Sequence, residues 1–88
     1  MLTAFTVHGW EDYVYWQEND PDTLEKINDL IKEIKRVPFK GKGKPEPLRG
    51  NLKGYWSRRI TGEHRLVYRV EGKAEEQTLR IVQVRFHY

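Results

Sequence analysis

Cysteine is absent from all 88 residues, which excludes a disulfide framework and any thiolate-bound zinc site and suits a reducing cytosol. No apolar run approaches the roughly 20 residues of a membrane span. Met1-Leu2-Thr3-Ala4 has neither the charged start nor the long apolar stretch of a secretory signal. A cytoplasmic location away from membranes is therefore expected. The histidines show no metal-ligand spacing, and there is no P-loop, dinucleotide fingerprint or Ser/His/Asp arrangement, so neither a metal nor a cofactor is expected. Internal repeats and long linkers are also missing, which points to one domain over residues 1–88. A chain of this length buries only about 60–65% of its unfolded surface, so its eleven aromatics, three of them Trp, must supply much of the core area.

The net charge is +3, and its distribution says more than its size. Residues 1–34 carry eight acids and two bases, whereas residues 35–69 carry eleven bases and two acids, Glu46 and Glu63. A basic middle after an acidic start points to a polyanion on one face, with nucleic acid the leading candidate. A solvated surface charged for solubility is the plainer alternative.

Leu2 to His8 is rich in β-forming residues and predicts a first strand. Trp10, Tyr13, Val14 and Gln17 recur at helical spacing and predict a first helix. Asn19-Asp20-Pro21 stops it, and Asp20 and Pro21 suit the N-cap and first position of a second helix. Leu24, Ile27, Leu30, Ile31 and Ile34 form that helix's apolar stripe, which must end before Pro38. Residues 40–47, with two Gly and two Pro, predict a loop. Strands follow over Tyr55 to Ile60, His64 to Val70 and Thr78 to Tyr88, with a turn at Thr61-Gly62-Glu63 and a polar loop from Glu71 to Gln77. The order β-α-α-β-β-β predicts an α+β fold, two helices on one face of a mainly antiparallel twisted sheet.

Strand alternation sorts the side chains. It places Val82, Val84 and Phe86 on one face of the last strand, Tyr88 in phase with them, and Gln83, Arg85 and His87 on the other. With Arg65 and Arg59 opposite the apolar positions of their own strands, it predicts an uncovered surface bearing Arg59, Arg65, Arg85 and His87. His87 and Tyr88 stand out because such end positions normally fray and carry little chemistry.

Such a surface suits RNA cleavage by the RNA's own 2′-OH, which needs a base, an acid and cations on the phosphorane. Arg suits the phosphorane because its planar fork matches phosphate oxygens, and His87, a residue type that titrates near neutral pH, suits the acid. The base is a carboxylate or a second His. Glu46, a lone acid among Lys40, Lys42, Lys44 and Arg49 and clamped between Pro45 and Pro47, is one candidate; Glu63, in the turn, is another. Glu46 can equally be an exposed loop charge and His87 an end residue with one hydrogen bond. His8 and His64 read as structural or incidental, and Trp10, Tyr13 and Trp16 as packing aromatics.

Pro38-Phe39-Lys40-Gly41-Lys42-Gly43-Lys44-Pro45-Glu46-Pro47-Leu48, Asn51-Leu52, Trp56-Ser57-Arg58-Arg59-Ile60-Thr61, Glu63-His64-Arg65-Leu66-Val67-Tyr68 and His87-Tyr88 together closely resemble the YoeB/Txe toxins, within the RelE-like superfamily of type II toxin–antitoxin systems. Trp10, Asp12-Tyr13, Tyr15-Trp16-Gln17 and Lys26-Ile27-Asn28 also fit. The resemblance implies a microbial-RNase-like fold and a ribosome-dependent endoribonuclease that cuts mRNA and stops translation. It implies Glu46 as general base, His87 as general acid, Arg65 as transition-state stabiliser and Tyr88 as a shaper of the site. Arg59 and Arg49 would contact phosphate or rRNA, with Lys44 and Arg85 as further substrate-binding cations. It also implies a YefM/Axe-like antitoxin that wraps the toxin and disturbs its C-terminal end, operator DNA met only through that complex, and a possible homodimer. Three departures stand out: a longer loop at Glu71 to Gln77, a different opening from Leu2 to His8, and Arg49 where Lys is common. Two rivals to the enzyme remain, an RNA- or ribosome-binding module acting by occupancy and a co-repressor active within its complex.

Overall fold

Thr6 decides where the chain first turns. Its backbone is extended (φ −71°, ψ 167°) and its hydroxyl accepts the Gly9 N–H at 3.1 Å, the geometry of an N-cap. In the computed structural model, which describes residues 1–87, strand β1 therefore covers only Leu2–Phe5, and helix α1 runs Val7–Asn19. The strand expected through His8 is too long, because the cap converts Val7 and His8 into the first helical turn.

The next boundary falls where Asp20 and Pro21 predict it. Helix α2 spans Pro21–Arg36, with Asp20 as its N-cap and Pro at its start. One Asp20 carboxylate oxygen accepts the Thr23 N–H at 3.2 Å, the other the Thr23 hydroxyl at 2.8 Å. These bonds, the hydroxyl's first, hold the Asp20 carboxyl below its ordinary 3.8. A depressed folded pKa stabilises above the unfolded value, and that stabilisation is lost as pH falls through the folded value. In melts from pH 7 to pH 3, Asp20→Asn, which keeps a capping oxygen at every pH, is expected to lose less Tm than the wild type. Parallel curves would show that this cap does not titrate with folding.

Three further strands complete the mainly antiparallel part of the sheet: β3 (Trp56–Arg59), β4 (Arg65–Glu71) and β5 (Thr78–Gln83). With a two-residue strand β2 (Glu46–Pro47) the order is β1-β5-β4-β3-β2. Among the described residues only β1 is parallel to its neighbour, β5; every other pair is antiparallel. Both helices cover one face. Trp16 of α1 and Ile27, Leu30 and Ile34 of α2 cluster with Leu66 and Tyr68 of β4 and Leu79 and Ile81 of β5. Each fully buried aliphatic here contributes about 1.5–3 kcal/mol. Gly9 lets α1 lie directly on β5, since a Cβ there would sit 2.5 Å from the Ile81 carbonyl oxygen.

Three further expectations are corrected. Glu46 and Pro47 belong to the sheet, opposite Ser57 and Trp56 of β3. Pro47 is tolerated because β2 is an edge strand, where a missing N–H costs no ladder bond. The last strand stops at Gln83, well short of residue 88. A register shift pairs Val67 with Gln83 but Tyr68 with Ile81, so β5 carries an extra residue there, and such a bulge reverses alternation beyond it. Ile81 and Val84 thus share the core while Phe86 is 56% exposed, contrary to the predicted grouping of Val82, Val84 and Phe86.

Candidate active site and family

One pocket of about 160 Å³ collects Gly43, Lys44, Glu46, Ser57, Arg59, Arg65 and His87. Its side chains come from β2, β3, β4, the loop before β2 and the segment after β5. Glu46 stands on the edge strand opposite Ser57, which is 1% exposed. The loop reaches β2 because the Gly43 carbonyl accepts the Arg59 N–H at 2.7 Å. Gly43 has φ +81°, and a Cβ there would press on Arg58 and the Arg59 carbonyl at 3.0 Å, so the close approach requires glycine. Lys44 follows with φ +51°, in the left-handed region that non-glycine residues enter at a cost.

Arg59 and Arg65 face each other across the β3–β4 ladder. Like charges directly opposite destabilise a sheet, and an anion between them reverses that sign. The second opposed pair, Arg69 and Arg80, has Glu71 at 3.8 and 2.9 Å as counter-ion. In the pocket three cations, Lys44, Arg59 and Arg65, surround one acid, Glu46. Arg65 is held by Nη1, which donates to the Thr61 and His64 carbonyls at 2.7 and 3.0 Å.

His87 reaches the pocket by a hook, whereas the sequence suggested strand alternation. Phe86 has φ +65° and turns the chain, and its carbonyl accepts the Arg65 N–H at 3.0 Å. Arg85 is carried elsewhere. Its guanidinium lies 3.5 Å from the Tyr15 ring centroid, along a larger groove of about 610 Å³ beside α1. The surface expected to unite Arg85 with Arg65 and His87 therefore does not form, because the hook reverses the side of successive residues. Arg49 also lies outside the pocket, at the start of the short 3-10 turn Gly50–Leu52. Tyr88 lies outside the described residues. Glu63 stays in its exposed turn. Sequence reasoning passed over Ser57, although it shares the alternation of Arg59. Among the described residues no group of three His, Asp or Glu is placed to hold a metal ion, and no helix is long and apolar enough to cross a membrane.

Residues 5–88 match the family described as the YoeB-like toxin of bacterial type II toxin–antitoxin systems. The chain belongs to the YoeB toxin family. It is 58% identical to Toxin YoeB of Streptomyces coelicolor and 53% identical to Toxin YoeB of Escherichia coli K12, each over the full length of both chains. A solved YoeB/ParE toxin from Agrobacterium tumefaciens superposes with TM-score 0.98 at 58% identity, covering both chains completely. A YoeB–YefM complex from Staphylococcus aureus gives 0.88 at 43% identity, covering 100% of this chain and 99% of that one. YafQ of E. coli, at 20% identity and TM-score 0.78, shares the fold. This YoeB-family toxin thus has the α+β architecture expected from its element order, and the toxin fold that the resemblance implied.

Proposed function

We propose that this toxin is a ribosome-dependent endoribonuclease that cuts mRNA through the RNA's own 2′-OH. The observation that carries the reading is the convergence of Glu46, Arg65 and His87 with Lys44 and Arg59 in one small cationic pocket. A volume of about 160 Å³ suits a phosphodiester group and leaves the flanking bases outside. Glu46 takes the proton of the 2′-OH as its oxygen attacks phosphorus. Arg65, with Arg59 and Lys44, stabilises the negative charge gathering on the phosphorane. His87 donates a proton to the departing 5′-oxygen. The products are a 2′,3′-cyclic phosphate and a 5′-OH. The nucleophile belongs to the substrate, so neither a metal nor a cofactor is required for it. Arg49 and Arg85 would act outside this centre, on the surrounding RNA, and Tyr88 would help shape the site.

A YefM-type antitoxin is the proposed partner, as in the Staphylococcus aureus complexes, and a homodimer is open to it, as in the YoeB dimer of that organism. Operator DNA would be met only through the toxin–antitoxin complex. The test is to map mRNA 5′ ends with the purified toxin in a reconstituted translation system. New 5′-OH ends are expected within mRNA on ribosomes and not in the same mRNA alone. Arrested translation without new ends would replace this reading with a binder acting by occupancy.

A further inference from the structure

We infer that His64, backed by Asp12 and Trp16, is a positioning residue that holds the chain end so that His87 meets Glu46 and Arg65; this rests on the cleavage reading above. The segment after Gln83 has left the ladder and should fray, yet its main chain is gripped at successive points. The Val84 N–H donates to the Asp12 carboxylate at 3.1 Å, and the Val84 carbonyl accepts the Trp16 indole N–H at 2.7 Å. The Phe86 N–H donates to His64 Nδ1 at 2.8 Å. The Phe86 carbonyl accepts the Arg65 N–H at 3.0 Å.

These anchors are built into the body. Asp12 is 7% and Trp16 6% exposed. A carboxylate is costly to bury unless it is bonded, and here it accepts from the hook at 3.1 Å and lies 3.4 Å from His8 Nε2. The His64 ring stands edge-on to Trp16, centroids 4.8 Å apart and planes at 81°, which fixes the direction of Nδ1. Nδ1 accepts, so the ring proton of neutral His64 sits on Nε2.

The consequence lies in the spacing of the grip. Two consecutive residues, His64 and Arg65, hold the two polar groups of Phe86, one by its ring and one by its main chain. The side chain of Arg65 and the residue after Phe86 both line the pocket. A single clamp therefore sets the phosphorane stabiliser and the acid relative to each other, and opposes the cost of the left-handed Phe86. His64 does not line the pocket, so it acts through His87.

His64→Phe fills the ring space without the acceptor, and His64→Asn restores an acceptor near Nδ1. In single-turnover cleavage on ribosomes, His64→Phe is expected to slow the reaction about a hundredfold, as for a misplaced group, with half-saturation little changed. His64→Asn should recover most of that loss, and amide exchange at Phe86 should rise in the Phe variant and fall back in the Asn variant. On a His87→Gln background, His64→Phe should add nothing. Should His64→Phe fail to fold, His64→Gln, whose oxygen sits one bond too far out, takes its place in the same cycle. An unslowed His64 variant beside an inactive His87→Gln would overturn the clamp, as would an equal slowing on both backgrounds, which marks general structural damage. Full activity of His87→Gln would instead remove the cleavage reading itself.

Discussion

Expressed in a bacterium, His87→Gln and Glu46→Ala are each expected to lose killing and mRNA cleavage while remaining folded. Gln fills the imidazole space and keeps a hydrogen-bonding end, but it cannot pass a proton to the 5′-oxygen. Ala removes the acid that lines the pocket with Lys44, Arg59 and Arg65 and so the proposed acceptor for the 2′-OH proton. Acid and base catalysis each contribute about 10²–10⁴ in rate, and a single phosphorane donor such as Arg65 about 10²–10³ by analogy with an oxyanion donor. Single-turnover rates measured beside Tm separate chemistry from folding. Both side chains are largely exposed, so Tm should stay within a few degrees of the wild type. Killing by both variants equal to the wild type, with expression matched, would remove Glu46 and His87 from the chemistry.

The largest effect on stability is expected at Arg58. It is 0% exposed, and its guanidinium is caged by oxygen. Nε donates to the Tyr68 hydroxyl at 3.2 Å, Nη1 to the Lys42 carbonyl at 3.1 Å, and Nη2 to the Val37 and Lys40 carbonyls at 2.7 Å each. The Tyr68 hydroxyl in turn donates to the Pro38 carbonyl at 2.6 Å, and burial pushes its pKa above the ordinary 10.0 while Arg58 opposes the shift, so it remains a donor. One buried fork thus fastens the segment from Val37 to Lys42 onto β3 and β4. Arg58→Ala strands these oxygens and is expected to cost about 3–5 kcal/mol, as for a broken buried charge network. Native domains have only about 5–15 kcal/mol in total. A fall in Tm of roughly 15–30 °C follows for a chain of this size. Arg58→Lys keeps the charge but not the fork and should recover only part of the loss. Urea unfolding measures both, and a change below about 1 kcal/mol for Arg58→Ala would show that the cage is not structural.

Arg58 and Arg59 also mark how far a sequence can be read. Side by side they look like one basic pair. Strand alternation separates them, sending Arg59 to the pocket and Arg58 inward, but nothing local announces the carbonyls of Val37, Lys40 and Lys42 that make a buried cation tolerable. The Asp20-Pro21 boundary was legible because a cap is a contact between near neighbours, and the stripe of α2 because helical spacing repeats. The end of β5 was not. It depends on an Asp12–Val84 bond between residues 72 positions apart and on a bulge without a composition of its own. Pro45 and Pro47 hid the edge strand at Glu46 for the opposite reason, since they signal a loop wherever they stand. Glu46, Arg65 and His87 were singled out by residue type and resemblance, and they do line one pocket. The chain just before His87 is bonded by His64, a residue read from the sequence as structural or incidental, and no local signal pointed to Phe86 as its partner.

The parallel pairing of β1 with β5 has a consequence in time. Leu2 through Phe5 find their ladder partners at Thr78 through Ile81, and among the described residues β1 has no other neighbour in the sheet. Contacts so distant along the chain close late. While it is being translated, the nascent chain can fold its helices and its β3–β4 hairpin, but it has neither a finished sheet nor a seated His87 until synthesis has passed the last strand. On the proposed cleavage reading, the pocket that holds His87 is therefore completed only after the last strand has been made.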